Sequence, residues 1–201
     1  MTDAIAGQPP IVNIVGERVA LGPLRRDLVP LYQRWINDFA VMRTRGRPPG
    51  PVTLEAQQQE FERLATSDRS TFFTVYDRAT WTPIGDTGLM GIDYRNRLAG
   101  FAITIAEAEY RGRGYGTETT RLMLDYAFTA LGLHSVQLNV YEFNLAGIKA
   151  YQKAGFRECG RWRQCRWMGG RLWDEVLMDC LATEFESPVL GRVFVGDEAR
   201  G

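Results

Sequence analysis

The stretch Glu109-Tyr-Arg-Gly-Arg-Gly-Tyr-Gly-Thr-Glu118 decides how the rest of this 201-residue chain is read. Before it, Phe101-Ala-Ile-Thr-Ile105 alternates apolar positions as a strand does. After it, residues 117–131 read as a helix, with Leu124, Ala127, Phe128 and Leu131 along one stripe and Gly132 as the stop. A strand, a glycine-rich turn and a helix place unpaired N–H groups and the positive end of a helix dipole at the turn, and that arrangement binds phosphate. Gly112, Gly114 and Gly116 let the backbone turn sharply and approach a ligand. Arg111 and Arg113 supply guanidinium groups that grip phosphate oxygens in a forked geometry.

Four readings of this turn compete. A Walker A loop requires Gly-Lys-Ser/Thr, and Gly116 is followed by Thr117-Glu118, which discards it. A dinucleotide site requires G-x-G-x-x-G early in the chain and an acidic residue after the next strand. Glu142 stands in that place, but the motif is G-x-G-x-G and lies mid-chain. The third reading is a turn that only connects its strand and helix. The fourth is a pyrophosphate cradle for coenzyme A, and the rest of the chain favours it.

Outward from the turn, strands and helices alternate. Val19–Leu21, Phe72–Tyr76, Pro83–Tyr94 and Ser135–Val140 read as strands, as do a segment opening at Phe156 and one over 172–181. Helices are expected after Asp27 and after Thr53, both of which look like caps, and over Ala146–Ala154 up to Gly155. Residues 43–51, RTRGRPPGP, read as a basic irregular loop. The pattern implies one α/β domain with a mixed sheet. Residues 1–17 read as an N-terminal arm, 18–182 as the domain and 183–201 as a C-terminal extension ending in an apolar patch, Val189–Val195.

Composition removes several classes. Lys plus Arg and Asp plus Glu are each 24, so no general charge holds this chain to nucleic acid. Three cysteines and one histidine, His134, make neither a disulfide framework nor a convincing metal site, so no metal is expected. No apolar run approaches the roughly 20 residues that span a bilayer, and the N-terminus lacks the pattern of a signal peptide. The expectation is a cytoplasmic protein with no membrane association.

Arg111-x-x-Gly114-x-Gly116 resembles the Q/R-x-x-G-x-G/A pyrophosphate signature of the GNAT superfamily of acetyl-CoA-dependent N-acetyltransferases. The phrase around it, with LDYAF and LGL downstream, resembles the branch of ribosomal-protein N-terminal and spermidine acetyltransferases. Asn144-Leu-Ala-Gly-Ile-Lys-Ala-Tyr151-Gln-Lys-Ala-Gly155-Phe156 resembles that family's N-x6-Y-x3-G-F segment, and the likeness extends over residues 17–182. It implies a GNAT-type, mixed and mostly antiparallel seven-stranded sheet flanked by helices. In such a sheet strands four and five, here 101–106 and 135–140, are parallel and splayed.

The resemblance implies an N-acyltransferase that moves an acetyl group from acetyl-CoA directly to a primary amine, on a protein N-terminus or a small molecule. A non-catalytic CoA-binding module, or transfer of an acidic acyl group, is the alternative. It implies a cofactor site at Ile105, Ala106, Arg111, Gly112, Arg113, Gly114, Tyr115, Gly116, Thr117, Asn144 and Lys153. Backbone groups at Ile105 and Ala106 would pair with the pantetheine amides. Tyr151, seven residues after Asn144, holds the position of the acid that protonates the leaving thiolate. Asn144 also reads as a helix cap, and Lys149 and Lys153 as cations near the 3′-phosphate or as solvated surface. The base is not legible. Glu107, with Glu109 and Glu142, is the nearest set of candidates at the strand ends, ahead of Asp93 and His134. Arg43, Arg45 and Arg47 would favour an anionic acceptor and repel a polyamine, or are merely solvated. A homodimer is expected.

Overall fold

The computed structural model describes residues 10–46 and 50–196. Eight strands form one sheet, β1 Ile14–Val15, β2 Val19–Pro23, β3 Ser70–Asp77, β4 Pro83–Asp93, β5 Leu98–Ile105, β6 Ser135–Tyr141, β7 Arg157–Met168 and β8 Arg171–Leu181. Their order is β1-β2-β3-β4-β5-β6-β8-β7. The sheet is mixed and mostly antiparallel, and β5 and β6 are its parallel pair.

The residues expected to form that pair do form it, but they rank fifth and sixth rather than fourth and fifth, in a sheet of eight rather than seven. The difference is Ile14–Val15, inside the stretch read as an arm. Ile14 pairs with Leu21 and Val15 with Ala20. Two residues are too few to show a period, but Ile14 is buried in the core and its backbone completes an edge. The first nine residues of that arm lie outside the described residues.

Five helices flank the sheet, α1 Val29–Asn37, α2 Phe39–Met42, α3 Leu54–Ala65, α4 Tyr115–Asp125 and α5 Leu145–Ala154. The two-residue period of β3 assigns them to faces. The Phe73 ring meets Tyr126, just past α4, at 5.2 Å edge to face. Thr74 turns the other way, its hydroxyl 2.5 Å from that of Tyr32 on α1. Thr53 caps α3 as its sequence suggests, accepting from the Ala56 N–H at 3.2 Å. Asp27 does not cap α1. It sits in a 3-10 turn with its carboxylate on Arg25 at 2.5 Å, and Leu28 precedes the helix.

The helix expected to run to 131 changes pitch at Tyr126–Ala130, a π-type turn. The buried Asp125 stands where it begins. Its carboxylate accepts from the hydroxyls of Thr129 at 2.8 Å and Ser187 at 2.5 Å. It also accepts from the N–H groups of Val189 at 3.0 Å and Leu190 at 2.8 Å. The C-terminal extension is thereby fastened to α4, and Leu190 is buried in the main core rather than displayed. Of the apolar patch, Val193, Phe194 and Val195 stay exposed.

Asp125→Ala strands the buried N–H of Leu190 and the part-buried N–H of Val189, so unfolding stability should fall by about 2–4 kcal/mol, roughly 5–15 °C in Tm. Calorimetry checks this, and limited proteolysis should cut first between 186 and 196.

Candidate active site

β5 and β6 pair only from Leu98↔Ser135 to Gly100↔Gln137. Beyond that point they diverge. β5 stays on β4 as far as Ile105↔Gly85, and β6 stays on β8 as far as Tyr141↔Glu175. The Ala106 N–H bonds the Ile84 carbonyl at 2.8 Å, so even-numbered residues here face β4. By alternation the backbones of Ile103 and Ile105 face the gap. A slot results, lined by backbone groups that have no partner on the facing strand. Of the two residues expected to pair with an amide-bearing ligand, Ile105 offers its N–H to the slot. Ala106 does not, because its N–H is held by Ile84.

The loop after β5 closes on itself through Arg111. Its guanidinium bonds the carbonyls of Ile105, at 2.9 Å, and Ala106. Arg111 therefore braces the strand end here and does not face the glycine turn as a free cation. Arg113 is exposed and gives its carbonyl to Arg18 at 2.6 Å.

Gly114 is the N-cap of α4, with φ +91° and no side-chain bond to the helix end. Gly112 has φ +73°. A side chain at Gly114 would be strained by that φ and would meet the Arg18 guanidinium at 3.0 Å. The N–H groups of Tyr115, Gly116 and Thr117 are those a helix start leaves without intrahelical partners. Gly116 is not forced by crowding, since an added Cβ would meet only Ile105 at 3.8 Å. The turn is held from behind by Glu118, which accepts from the N–H groups of Glu17 at 2.5 Å and Arg18 at 2.9 Å.

Across the slot stands α5. Asn144 caps it, its side-chain oxygen accepting from the Gly147 N–H at 3.0 Å. Lys149 and Lys153 are exposed on it. Tyr151 packs edge to face on Phe101 at 6.2 Å, and Phe156 lies 6.0 Å from it. Burial pushes its hydroxyl up to about 12. No described side chain bonds that hydroxyl, which opens on a cavity of about 450 Å3. Ala102, Ile103, Thr104 and Leu138 form the cavity wall at the slot, and α1, α3 and residues 42–46 form the far wall.

The base candidates read from sequence are elsewhere. Glu107 does not line the cavity. Its carboxylate accepts from Trp35 Nε1 at 2.8 Å and from Arg34, bracing α1. Glu142 accepts from the Asp174 N–H at 3.0 Å and ties β6 to β8. Asp93 caps its own turn through Asn96, and His134 is exposed beyond α4. The carboxylates that line the cavity are Glu60, Asp86 and Glu175. Glu175 is 1% exposed, bonded by Asn139 at 2.7 Å with Arg166 Nε at 3.1 Å. The only trace in the sequence was an acidic residue inside an apolar strand, in Trp173-Asp-Glu175-Val-Leu-Met178.

Arg45 pairs with Asp86 at 2.5 Å and Arg43 lies over the Phe143 ring at 5.7 Å, so neither is a free cation at the rim. Arg47 lies outside the described residues. Among the described residues no group of three or more His, Cys, Asp or Glu is placed to hold a metal ion.

The slot between the parallel strands, the uncapped start of α4 and the cavity at Tyr151 make a cleft suited to an extended ligand. Residues 18–157 match the acetyltransferase (GNAT) domain family model, and the chain belongs to that family. It is 29% identical over 160 residues to the alpha/beta-tubulin-N-acetyltransferase 9 of Mus musculus, covering 72% of this chain and 64% of that protein. It is 30% identical over 138 residues to the spermidine N(1)-acetyltransferase of Escherichia coli K12, covering 69% of this chain and 72% of that one. The Vibrio cholerae spermidine N-acetyltransferase, solved with CoA and spermine, superposes with a TM-score of 0.77 at 26% identity, covering 83% of this chain and 97% of that one.

Replacing Gly114 with Val should weaken binding of CoA more than tenfold, because a Cβ in the left-handed region reshapes the helix start. Titration calorimetry reads the change, and an unaltered affinity contradicts the site.

Proposed function

We propose that this chain transfers an acetyl group from acetyl-CoA to a primary amine. The observation that carries the reading is the continuity of three parts. The N–H groups at the start of α4 suit a pyrophosphate, the slot between β5 and β6 suits an amide-bearing arm, and the cavity at Tyr151 suits an acceptor. The fit is tested by the backbone itself. The turn keeps Gly112 and Gly114 at positive φ, and no side chain caps the N–H groups at the start of α4. The names of its relatives, which act on tubulin and spermidine, support the same class of reaction.

Each group then has one task. Tyr115, Gly116 and Thr117 offer backbone N–H groups to the phosphates, and exposed Lys153 adds a cation from α5. Asn144 holds the start of α5 and so aims Tyr151. The Ile103 and Ile105 backbones align the donor and polarise its carbonyl. The neutral amine attacks the thioester carbonyl and passes its surplus proton to water, and Tyr151 gives its proton to the sulfur as the C–S bond breaks. Glu107 has no part in this, its carboxylate being held by Arg34 and Trp35. A cytoplasmic enzyme fits this chemistry, and none of the described helices is long and apolar enough to cross a membrane. Pairing of two copies is assigned to the exposed Val193–Val195 patch, and sedimentation tests it.

Tyr151→Phe retains the ring packing and removes the hydroxyl. Turnover with a responsive amine should fall about ten- to a thousandfold while acetyl-CoA affinity stays within about twofold. A wild-type rate overturns the assignment. The raised pKa also fixes a sign. Burial favours the neutral phenol, so the proton is retained through the ordinary tyrosine value near 10 and is lost only as pH climbs toward about 12. The pH–rate profile should therefore show no fall from Tyr151 ionisation below about pH 10.

A further inference from the structure

Asp86 lies on β4 opposite Thr104 of β5, one strand from the slot, and its side chain is 14% exposed. Both residues line the cavity. The one side-chain partner of the Asp86 carboxylate among the described residues is Arg45 NH2 at 2.5 Å. Arg45 is also the one cationic side chain among the described lining residues. It arrives on the turn after α2, whose backbone is held by Tyr141, its hydroxyl donating to the Arg45 carbonyl at 3.3 Å. The other two lining carboxylates are differently placed. Glu60 is paired by Arg63 at 2.8 Å along its own helix, and Glu175 is held by Arg166 and Asn139, with neither arginine in the lining.

We propose that Asp86 is the docking carboxylate for the acceptor's ammonium group, that Arg45 is a resident cation which the acceptor displaces, and that the acceptor is a monoamine on an apolar body. This inference rests on the acetyltransferase reading and extends it to the substrate. A carboxylate removed from water needs a cation, and exchanging Arg45 for the ammonium keeps it paired as the acceptor docks; the ammonium then gives a proton to water before its nitrogen attacks, and Arg45 returns to the carboxylate. A neutral or anionic occupant that displaced Arg45 would leave the carboxylate unpaired. Burial raises the Asp86 carboxyl from its ordinary value and outweighs the opposing pull of Arg45, so the charged form depends on a cation beside it.

The walls set the rest of the molecule. Ile36, Met42, Phe61, Phe72, Met90 and Phe101 face the cavity. One exchangeable carboxylate receives one ammonium, and a second ammonium among these side chains would be desolvated without a partner. A polyamine is therefore disfavoured, unlike the acceptor named for the spermidine enzymes this chain resembles.

Thiol release from acetyl-CoA is followed with phenethylamine, with a Met-Phe amide dipeptide and with spermidine. The wild-type protein should use one of the apolar amines at least tenfold better than spermidine in kcat/KM. Asp86→Asn should raise the amine KM about 10–100-fold with acetyl-CoA affinity unchanged. Arg45→Gln should lower the amine KM severalfold, a change opposite to that of a purely structural ion pair, and it keeps the test open if the Asn variant does not fold. An unchanged amine KM in folded Asp86→Asn, a raised KM in Arg45→Gln, or a preference for spermidine overturns the inference and leaves the transferase reading standing. A wild-type protein that binds acetyl-CoA but releases no thiol with any of these amines overturns both.

Discussion

After Gly100 and Gln137, β5 and β6 stop sharing hydrogen bonds, although each continues for several residues on its other neighbour. Backbone polar groups left without partners inside a protein are costly, so a sheet does not open without something that keeps its strands apart. Here the flanking pairings do so from outside and an aromatic cluster does so from within. Phe101 of β5 stacks on Phe156 at 5.9 Å and meets the Tyr151 ring edge to face. Phe156 follows directly on α5, so closing the gap would mean evicting that helix from the core. The same packing that opens the slot sets Tyr151 in the wall of the cavity beside it.

The ends of the slot are fixed by contacts distant in sequence. Glu118 grips the backbone at Glu17 and Arg18, Arg18 grips Arg113, and Arg111 braces the end of β5. The first strands of the sheet thus hold the start of α4 in place. Asp125 does the same for its far end by recruiting Ser187, Val189 and Leu190. A helix start that must present N–H groups to a ligand has no side-chain cap of its own, and this external bracing replaces it.

What was legible in the sequence was local. The glycine turn, the caps at Thr53 and Asn144, the strands at 101–106 and 135–140 and the position of Tyr151 follow from short-range periodicity, capping chemistry and a motif spacing. What was not legible depends on partners far along the chain. Asp27 resembled a cap until Arg25 took its carboxylate. Glu107 resembled a base because it ends a strand at the gap, but Trp35 and Arg34, more than seventy residues earlier, claim it. Asp86 and Glu175 look like ordinary strand residues until β4, β5, β6 and β8 assemble and place both on one cavity. Ile14–Val15 is too short to carry a period and exists only because β2 is there to pair with.

The proposed donor site is the slot between β5 and β6, where the backbone of β5 would hold the acyl donor. Amide hydrogen exchange, resolved by residue with and without acetyl-CoA, tests it most directly. Slower exchange is expected at Ile103 and Ile105, whose N–H groups face the slot, and at Tyr115–Thr117. Ala102 and Thr104, turned toward β4, should be unaffected. Bound acetyl-CoA with no added protection at Ile103 and Ile105 would contradict it.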